Sequence, residues 1–477
     1  MKQLFYFLLF TVLCLFFVEA QATVRYVRPS SHGAGNGSSW ANASNDLQLM
    51  INQSAAGDTI FVAEGTYIPR YTADGYNAAT STYPYTDGGR DNAFVLKANV
   101  IILGGFPDMV TATLANRDWN SYPTILSGQR GNNPNSTTNN CYHVVISSGD
   151  VGTACLDGFI ITKGRTPTLN IIIPLSIMVN GYAINVKYGG GLYITYSSPK
   201  LMHLNIENNW AWYGGGIYNS NSYPVLTNVI IAKNTGYRGG GIYNGNSSFV
   251  LIAGMISENS ALSGSNGYIG GGIFNTNYSF TILTNVVITK NYAGSGSGIR
   301  NDNSSSLILT NVLIVKNIAD YGAAGIAHVG STAVLTNVTI SSNHITDTLM
   351  GGDVDGGGIW NWNLSSCTIR NSIIWGNTRG SRVNNIENRG TIIYQNSLIG
   401  GEPIGNGIIL NKDPLFVDTA NDNYRLNCYS PAVNSGSNTF YNKGNTPDLS
   451  AITIDLDSNL RINGTVDLGA YEHYETI

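Results

Sequence analysis

A block of six residues, Gly214-Gly215-Gly216-Ile217-Tyr218-Asn219, returns 25 residues later as Gly239-Gly240-Gly241-Ile242-Tyr243-Asn244. It recurs as Gly270-Gly271-Gly272-Ile273-Phe274-Asn275 and Gly356-Gly357-Gly358-Ile359-Trp360-Asn361. Degraded copies stand at Gly189 to Tyr193, at Ser297-Gly298-Ile299-Arg300-Asn301 and at Ala323-Ala324-Gly325-Ile326-Ala327-His328. A chain that repeats at this period buries each copy against the next rather than closing one globular core. It makes a solenoid.

The second half of the repeat is Leu226-Thr227-Asn228-Val229-Ile230-Ile231-Ala232-Lys233-Asn234, echoed at Leu283 to Asn291, Leu309 to Asn317 and Leu335 to Asn343. Weaker echoes run from Leu201 to Asn209, Leu251 to Asn259 and Ile369 to Asn377. The column Ile206, Ile231, Ile256, Ile288, Ile314, Ile340 and Ile374 never varies, so it faces inward, and Val229 shares that face by the period of two in strands. Thr227, Thr284, Thr310 and Thr336 are expected to face outward. Asn219, Asn244, Asn275, Asn301 and Asn361, with Asn228, Asn285, Asn311, Asn337 and Asn371, read as structural polar ladders.

The pattern L-x-x-V-x-I-x-x-N overlaps a leucine-rich repeat, whose strand is followed by a helix or compact return. Here the return is Gly-Gly-Gly-Ile-Tyr-Asn, poor helix material. About 25 residues at about 3.3 Å each instead close a rung roughly 80 Å around. The expected fold is all-β, a single-stranded parallel β-helix. One amphipathic helix, Asp46 to Gln53, suits an N-terminal cap, and residues 411–477 read as an irregular C-terminal cap. The expected division is 1–22 signal peptide, 23–410 β-helix with its most regular repeats at 188–378, and 411–477 cap. Insertions gather at one corner, Ser260 to Ile269 and His344 to Asp355, and loops on one edge of a solenoid often line its working face.

Composition follows from stacking. Charged residues are 11% of the chain, against roughly 25% in ordinary soluble domains. Rungs lie about 4.8 Å apart, where a column of like charges repels and a column of Asn or Thr bonds to itself. The net charge of -4 offers no basic face for nucleic acid. Lys2, the apolar run Leu4 to Val18 and Ala20-Gln21-Ala22 read as a secretory signal. The expected location is therefore secreted or on the cell surface or outer membrane, with no transmembrane segment in the mature chain. Cys141 and Cys155 are close enough in sequence to bridge, but buried free thiols are the favoured reading, and no C-x-x-C metal spacing exists.

Gly57 to Tyr67, Asn92 to Phe106 and Arg117-Asp118-Trp119 to Gly128 resemble bacterial right-handed parallel β-helix proteins of the pectin-lyase-like superfamily. Asp413 to Glu472 resembles the choice-of-anchor Q segment that ends many of them, and the Gly-Gly-x-Ile and corner-Asn pairing is similar to polymorphic outer-membrane protein repeats. The resemblance implies a right-handed helix and a surface or secreted protein, with adhesins and polysaccharide-degrading enzymes among the relatives. The Asn-Thr-Asp, Asp-Asp and Gly-His-Gly motifs of polygalacturonases are absent, as is the Trp-x-Asp-His signature of pectate lyases.

Tyr193, Tyr218, Tyr243, Phe274 and Trp360 form an outward aromatic column, read as a candidate ligand platform, with mutual stacking for stability as the competing reading. Arg300 and Ala327 interrupt it. Near the breaks stand Arg300, Asp302, Asp320, His328, Asp353 and Asp355, the candidates for any catalytic cluster. Tyr188, Tyr213, Tyr237 and Tyr268 make a second column, and Lys163, Lys233, Lys290 and Lys316 a solvated edge relieved by Glu258. No cofactor is called for. Ca²⁺ is the one ion the spacing allows, at Asp455, Asp457 and Asn459, although the Gly and distal Glu of an EF-hand are missing. These features point to a binding or structural module for polysaccharide or a host or cell-surface glycan. A lyase or glycoside hydrolase acting on acidic polysaccharide is the alternative.

Overall fold

The computed structural model describes residues 22–78, 89–131, 139–167, 176–262, 267–346 and 356–474. Strand accounts for 44% and helix for 4%, which excludes the helical returns of a leucine-rich repeat. The rungs build three sheets, parallel except where Arg382–Val383 pairs antiparallel with Thr378–Arg379 at the end of the third. Sheet 1 has ten strands, typified by Ile217–Ser220, sheet 2 has twenty, typified by Val225–Ala232, and sheet 3 has seven short ones, typified by Thr235–Gly236. Pairing between rungs is in register, with Ile217 beside Ile242 and then Ile273, and Ile206 beside Ile231 and then Ile256. The invariant isoleucines are buried in one continuous core with Val229.

Backbone of positive φ turns the corners. Asn228, Asn285, Asn311 and Asn337 have φ of +53° to +55° and bend sheet 2 in the middle of each strand. Asparagine is the side chain that tolerates this region at least cost, so these residues are bends first and a ladder second. Gly214 has φ +64°, and a Cβ on Gly215 would lie 2.3 Å from the Thr235 carbonyl oxygen. The triple glycine is thus needed both for its turn and for the closeness of the next rung.

The corner asparagines form the strongest ladder. Asn209, Asn234, Asn259, Asn291, Asn317, Asn343, Asn377 and Asn385 are buried, and each backbone N–H and side-chain amide donates to the Oδ1 of the next at 2.8–3.1 Å.

Leu47–Gln53 forms the expected helix. Asp46 caps it by accepting from the Leu49 N–H at 2.9 Å, and Met50 and Ile51 close the first rung. The C-terminal segment does more than close the last rung. It folds back along the outer face of sheet 2, where Asn311 donates to the Ile454 carbonyl at 2.8 Å and Asn337 to the Asp467 carbonyl at 2.8 Å. This covering explains why Thr310 and Thr336, outward by strand alternation, are nonetheless buried. It also alters the lysine edge: Lys290 pairs with Asp422 of the cap at 2.7 Å, and Lys316 pairs with the same carboxylate. All four described cysteines are free thiols, with Cys141, Cys155 and Cys367 buried. Among the described residues no helix is long and apolar enough to cross a membrane.

Candidate functional site

Alternation along sheet 1 puts Ile217 and Asn219 inside and Tyr218 outside, so the outer face carries the column Tyr193, Tyr218, Tyr243, Phe274, Arg300, Ala327, Trp360 and Glu387. The tyrosines stack on one another. Tyr193 lies 4.8 Å from Tyr218 and Tyr218 lies 5.1 Å from Tyr243, while Tyr188 and Tyr213 of the second column stack at 4.7 Å and reach Tyr218 and Tyr243 at 5.0 and 5.2 Å. A sugar ring between two of these faces needs about twice a van der Waals contact of 3.5–4 Å. The gap does not exist. Tyr193 and Phe274 are in addition buried, Tyr193 against the hairpin Ser176–Asn185. Burial, first of all causes, pushes the Tyr193 and Tyr243 hydroxyls up to about 12, so they remain protonated donors.

Beyond Phe274 the face changes character. Arg300 donates to Asp302 at 2.6 Å and to Ser295 at 2.9 Å, and its guanidinium lies 5.5 Å from the Trp360 ring. Ala327, on the rung between, is small enough to let that contact form. Trp360 packs at 5.5 Å on Trp362, two residues along the same strand. On the following rung Arg389 lies 4.7 Å from Trp362 and donates to Glu387 at 3.2 Å. The result is a strip of two indoles flanked by two arginine–carboxylate pairs. Burial holds the Asp302 carboxyl above the usual carboxylate range, with Arg300 and Arg238 opposing.

The structure brings only part of the proposed catalytic cluster together. Arg300 and Asp302 pair. Asp320 instead accepts from the hydroxyls of Tyr268 at 2.8 Å and Tyr292 at 2.7 Å, and from Thr346 at 3.2 Å. His328 faces inward, in the position that Asn301 and Asn361 occupy on neighbouring rungs, and is fully buried. Burial, assisted by Arg300, lowers its pKa to about 4, and its Nε2 has no partner among the described residues. His328 belongs to the interior ladder, not to a surface site, because alternation is counted from Ile326. Replacing His328→Asn restores the ladder and is expected to stabilise the fold by about 1 kcal/mol, measured by urea denaturation. Asp353 and Asp355 lie outside the described residues.

The Ca²⁺ candidates also resolve differently. Asp455 is buried and accepts the backbone N–H groups of Asp457, Asn459 and Glu472 at 2.8–2.9 Å, while Asp457 forms a two-pronged pair with Arg425 at 2.5 and 2.7 Å. The alternating acids close a turn on the chain's own donors. No group of three or more His, Cys, Asp or Glu among the described residues is arranged to hold a metal ion.

One cluster was not read from the sequence. Asp157 accepts from Arg117 and from His203 Nδ1, both at 2.8 Å, and Trp119 stacks on His203 at 3.8 Å. His203 sits at φ +48° in the bend column held mostly by asparagine. That substitution in the column was the available signal.

The parallel rungs and the sheets they build define the class: a right-handed parallel β-helix. Among solved structures, the pectate lyase Pel9A is similar over 95% of this chain and 97% of its own, at 14% identity and a TM-score of 0.53. An alginate lyase from Paenibacillus sp. str. FPU-7 covers 72% of this chain and 96% of its own, at 15% identity and a TM-score of 0.35. The first likeness shows the fold. No family model and no curated protein matches the sequence.

Proposed function

We propose that this protein is an exported β-helix that binds polysaccharide along the outer face of sheet 1, on the strip from Arg300 to Arg389. The observation that carries the reading is the Trp360–Trp362 pair held between two arginine–carboxylate pairs. A sugar presents an apolar C–H face and hydroxyls that both donate and accept. Indole suits the face, arginine donates to a hydroxyl oxygen, and a carboxylate accepts its proton. The tyrosine columns serve as the rigid backing. Export is supported by Lys2, the run Leu4 to Val18 and Ala20-Gln21-Ala22.

A catalytic reading has one group in its favour, the Asp302 carboxyl raised by burial beside Arg300. A second acid or base is not supplied by Asp320 or His328, which stand elsewhere. Binding is therefore the reading that the described residues carry furthest.

Affinity electrophoresis through gels containing polygalacturonate, alginate or a neutral glucan tests it. Retardation is expected in at least one gel, with the dissociation constant raised about tenfold or more in Trp362→Ala and in Arg389→Ala, and unchanged in Tyr218→Phe. Retardation that survives both substitutions sinks the proposed strip. Release of unsaturated uronates or new reducing ends from those polymers would overturn the non-catalytic reading.

A further inference from the structure

We propose a second site: a hollow on the outer face of sheet 2, centred on Ala253, that takes an extended peptide segment of a partner protein. From His203 onward the bend column of sheet 2 is His203, Asn228, Ala253, Asn285, Asn311, Asn337, Asn371 and Asn396, all at positive φ. Ala253, at φ +53°, is the member with no polar side chain to bond locally. A left-handed residue bearing a β-carbon costs about 1–2 kcal/mol, and strain of this kind concentrates where structure serves function.

The effect of alanine is to empty the floor. Ala253 and Gly254 open a hollow of about 430 Å³ between the bare sheet and the folded-back cap, with Leu456 and Tyr471 on its wall. Ile230 and Met255 line it and stay 42% and 38% exposed. On the far side the cover begins at His203. The Asn228 amide lies 3.2 Å from His203 Nε2, and Trp119 stacks over that imidazole.

The neighbouring rungs indicate what fills such a space. Wherever the cap lies over the bend, an asparagine amide donates to a backbone carbonyl: Asn311 to Ile454, Asn337 to Asp467, Asn371 to Ser437 and Asn396 to Ser435, at 2.8–3.0 Å. Asn311 also donates to Oδ1 of Asn285 at 2.9 Å, so the column links rung to rung. Asn285 lacks both acceptors. Ala253 offers it no oxygen, and among the described residues its Nδ2 has no protein partner, although it lines the hollow. One more length of extended chain, laid beside the cap, would bring a carbonyl to Asn285 and an apolar side chain over Ala253. The aliphatic floor fits such a side chain better than a sugar ring, which calls for an aromatic face.

Ala253→Asn is the decisive variant, because asparagine suits the φ, refills the column and is expected to fold at least as stably as the parent. A phage-displayed random heptapeptide library is panned on the full chain with counter-selection on Ala253→Asn. Apolar peptides are expected to emerge that bind the parent at least tenfold more tightly than the variant and shift the methyl signal of Met255 in ¹³C-methionine spectra. The proposal is overturned if no peptide survives counter-selection or if survivors bind both proteins alike. It is equally overturned if oligosaccharides move the Met255 signal and the peptides do not. The polysaccharide strip on sheet 1 stands or falls separately, since Trp362→Ala leaves this hollow untouched.

Discussion

Asn291→Ala is expected to lower the stability of the protein by about 4 kcal/mol or more. Asn291 is completely buried. Its Oδ1 accepts both the backbone N–H and the side-chain amide of Asn259 at 3.0 Å, and its own amide donates to the Ile256 carbonyl at 2.9 Å and to Asn317 Oδ1 at 2.9 Å. Alanine removes all of these at once. Four hydrogen bonds at about 1 kcal/mol each are lost, and the buried Asn259 backbone N–H, left without a partner, costs about 1–3 kcal/mol more, which outweighs any gain from apolar replacement. The damage spreads because adjacent rungs share the ladder, and a solenoid's stability resides in such nearest-neighbour terms. Equilibrium urea denaturation reads the total loss. Amide exchange is expected to rise first in the strands from Ser248–Ser257 to Ser306–Val315. A loss under 1 kcal/mol would show that the ladder is dispensable.

Arg461→Met is expected to loosen the folded-back cap by about 3–5 kcal/mol at pH 8. Arg461 is fully buried, paired with Glu472, and donates to the Gly469 and Asp467 carbonyls at 3.2 and 3.1 Å. Methionine leaves Glu472 without its counter-charge. In the parent, burial, with Asp467 and Asp455 adding to it against Arg461, pushes the Glu472 carboxyl up to about 8. A carboxyl raised above its unfolded value of about 4.3 contributes stability that is full below that value. The contribution is lost as pH climbs toward about 8. The melting temperature of the parent is therefore expected to fall between about pH 5 and 8, with Glu472→Gln flattening the slope. The cost of Arg461→Met is smaller at pH 5, where Glu472 carries a proton. Limited proteolysis of residues 411–474 follows cap release directly. A melting temperature that rises from pH 5 to 8 would contradict this account.

The repeat made much of the fold legible. Ile231 and its column, Val229, the outward Tyr218 and the turn at the triple glycine all follow from two local rules, strand alternation and the backbone freedom of glycine. A parallel solenoid applies those rules rung after rung. The helix at Leu47–Gln53 was equally readable, since its capping acid and apolar spacing are local. Residues outside the period were harder to read. His328 looked like a surface candidate because the copy that holds it is degraded, yet the register of Ile326 turns it inward. Asp302 and Asp320 lie 18 positions apart in the chain and look like partners on paper. One pairs with an arginine on sheet 1 and the other with tyrosines at the corner.

By itself, then, the sequence determined the rung: which residues point in, where the backbone turns, and why so few charges are present. Only the tertiary structure decided what lies on top of the rungs. It stacked the tyrosines too closely to hold a sugar, and let Arg300 reach Trp360 across Ala327. It also folded residues 411–474 back along sheet 2 so that one stretch of bend, at Ala253 and Asn285, was left bare. The physical reason is range. Alternation and glycine turns act between residues a few positions apart, whereas stacking, ion pairing and coverage depend on rungs and caps that meet only once the helix is wound.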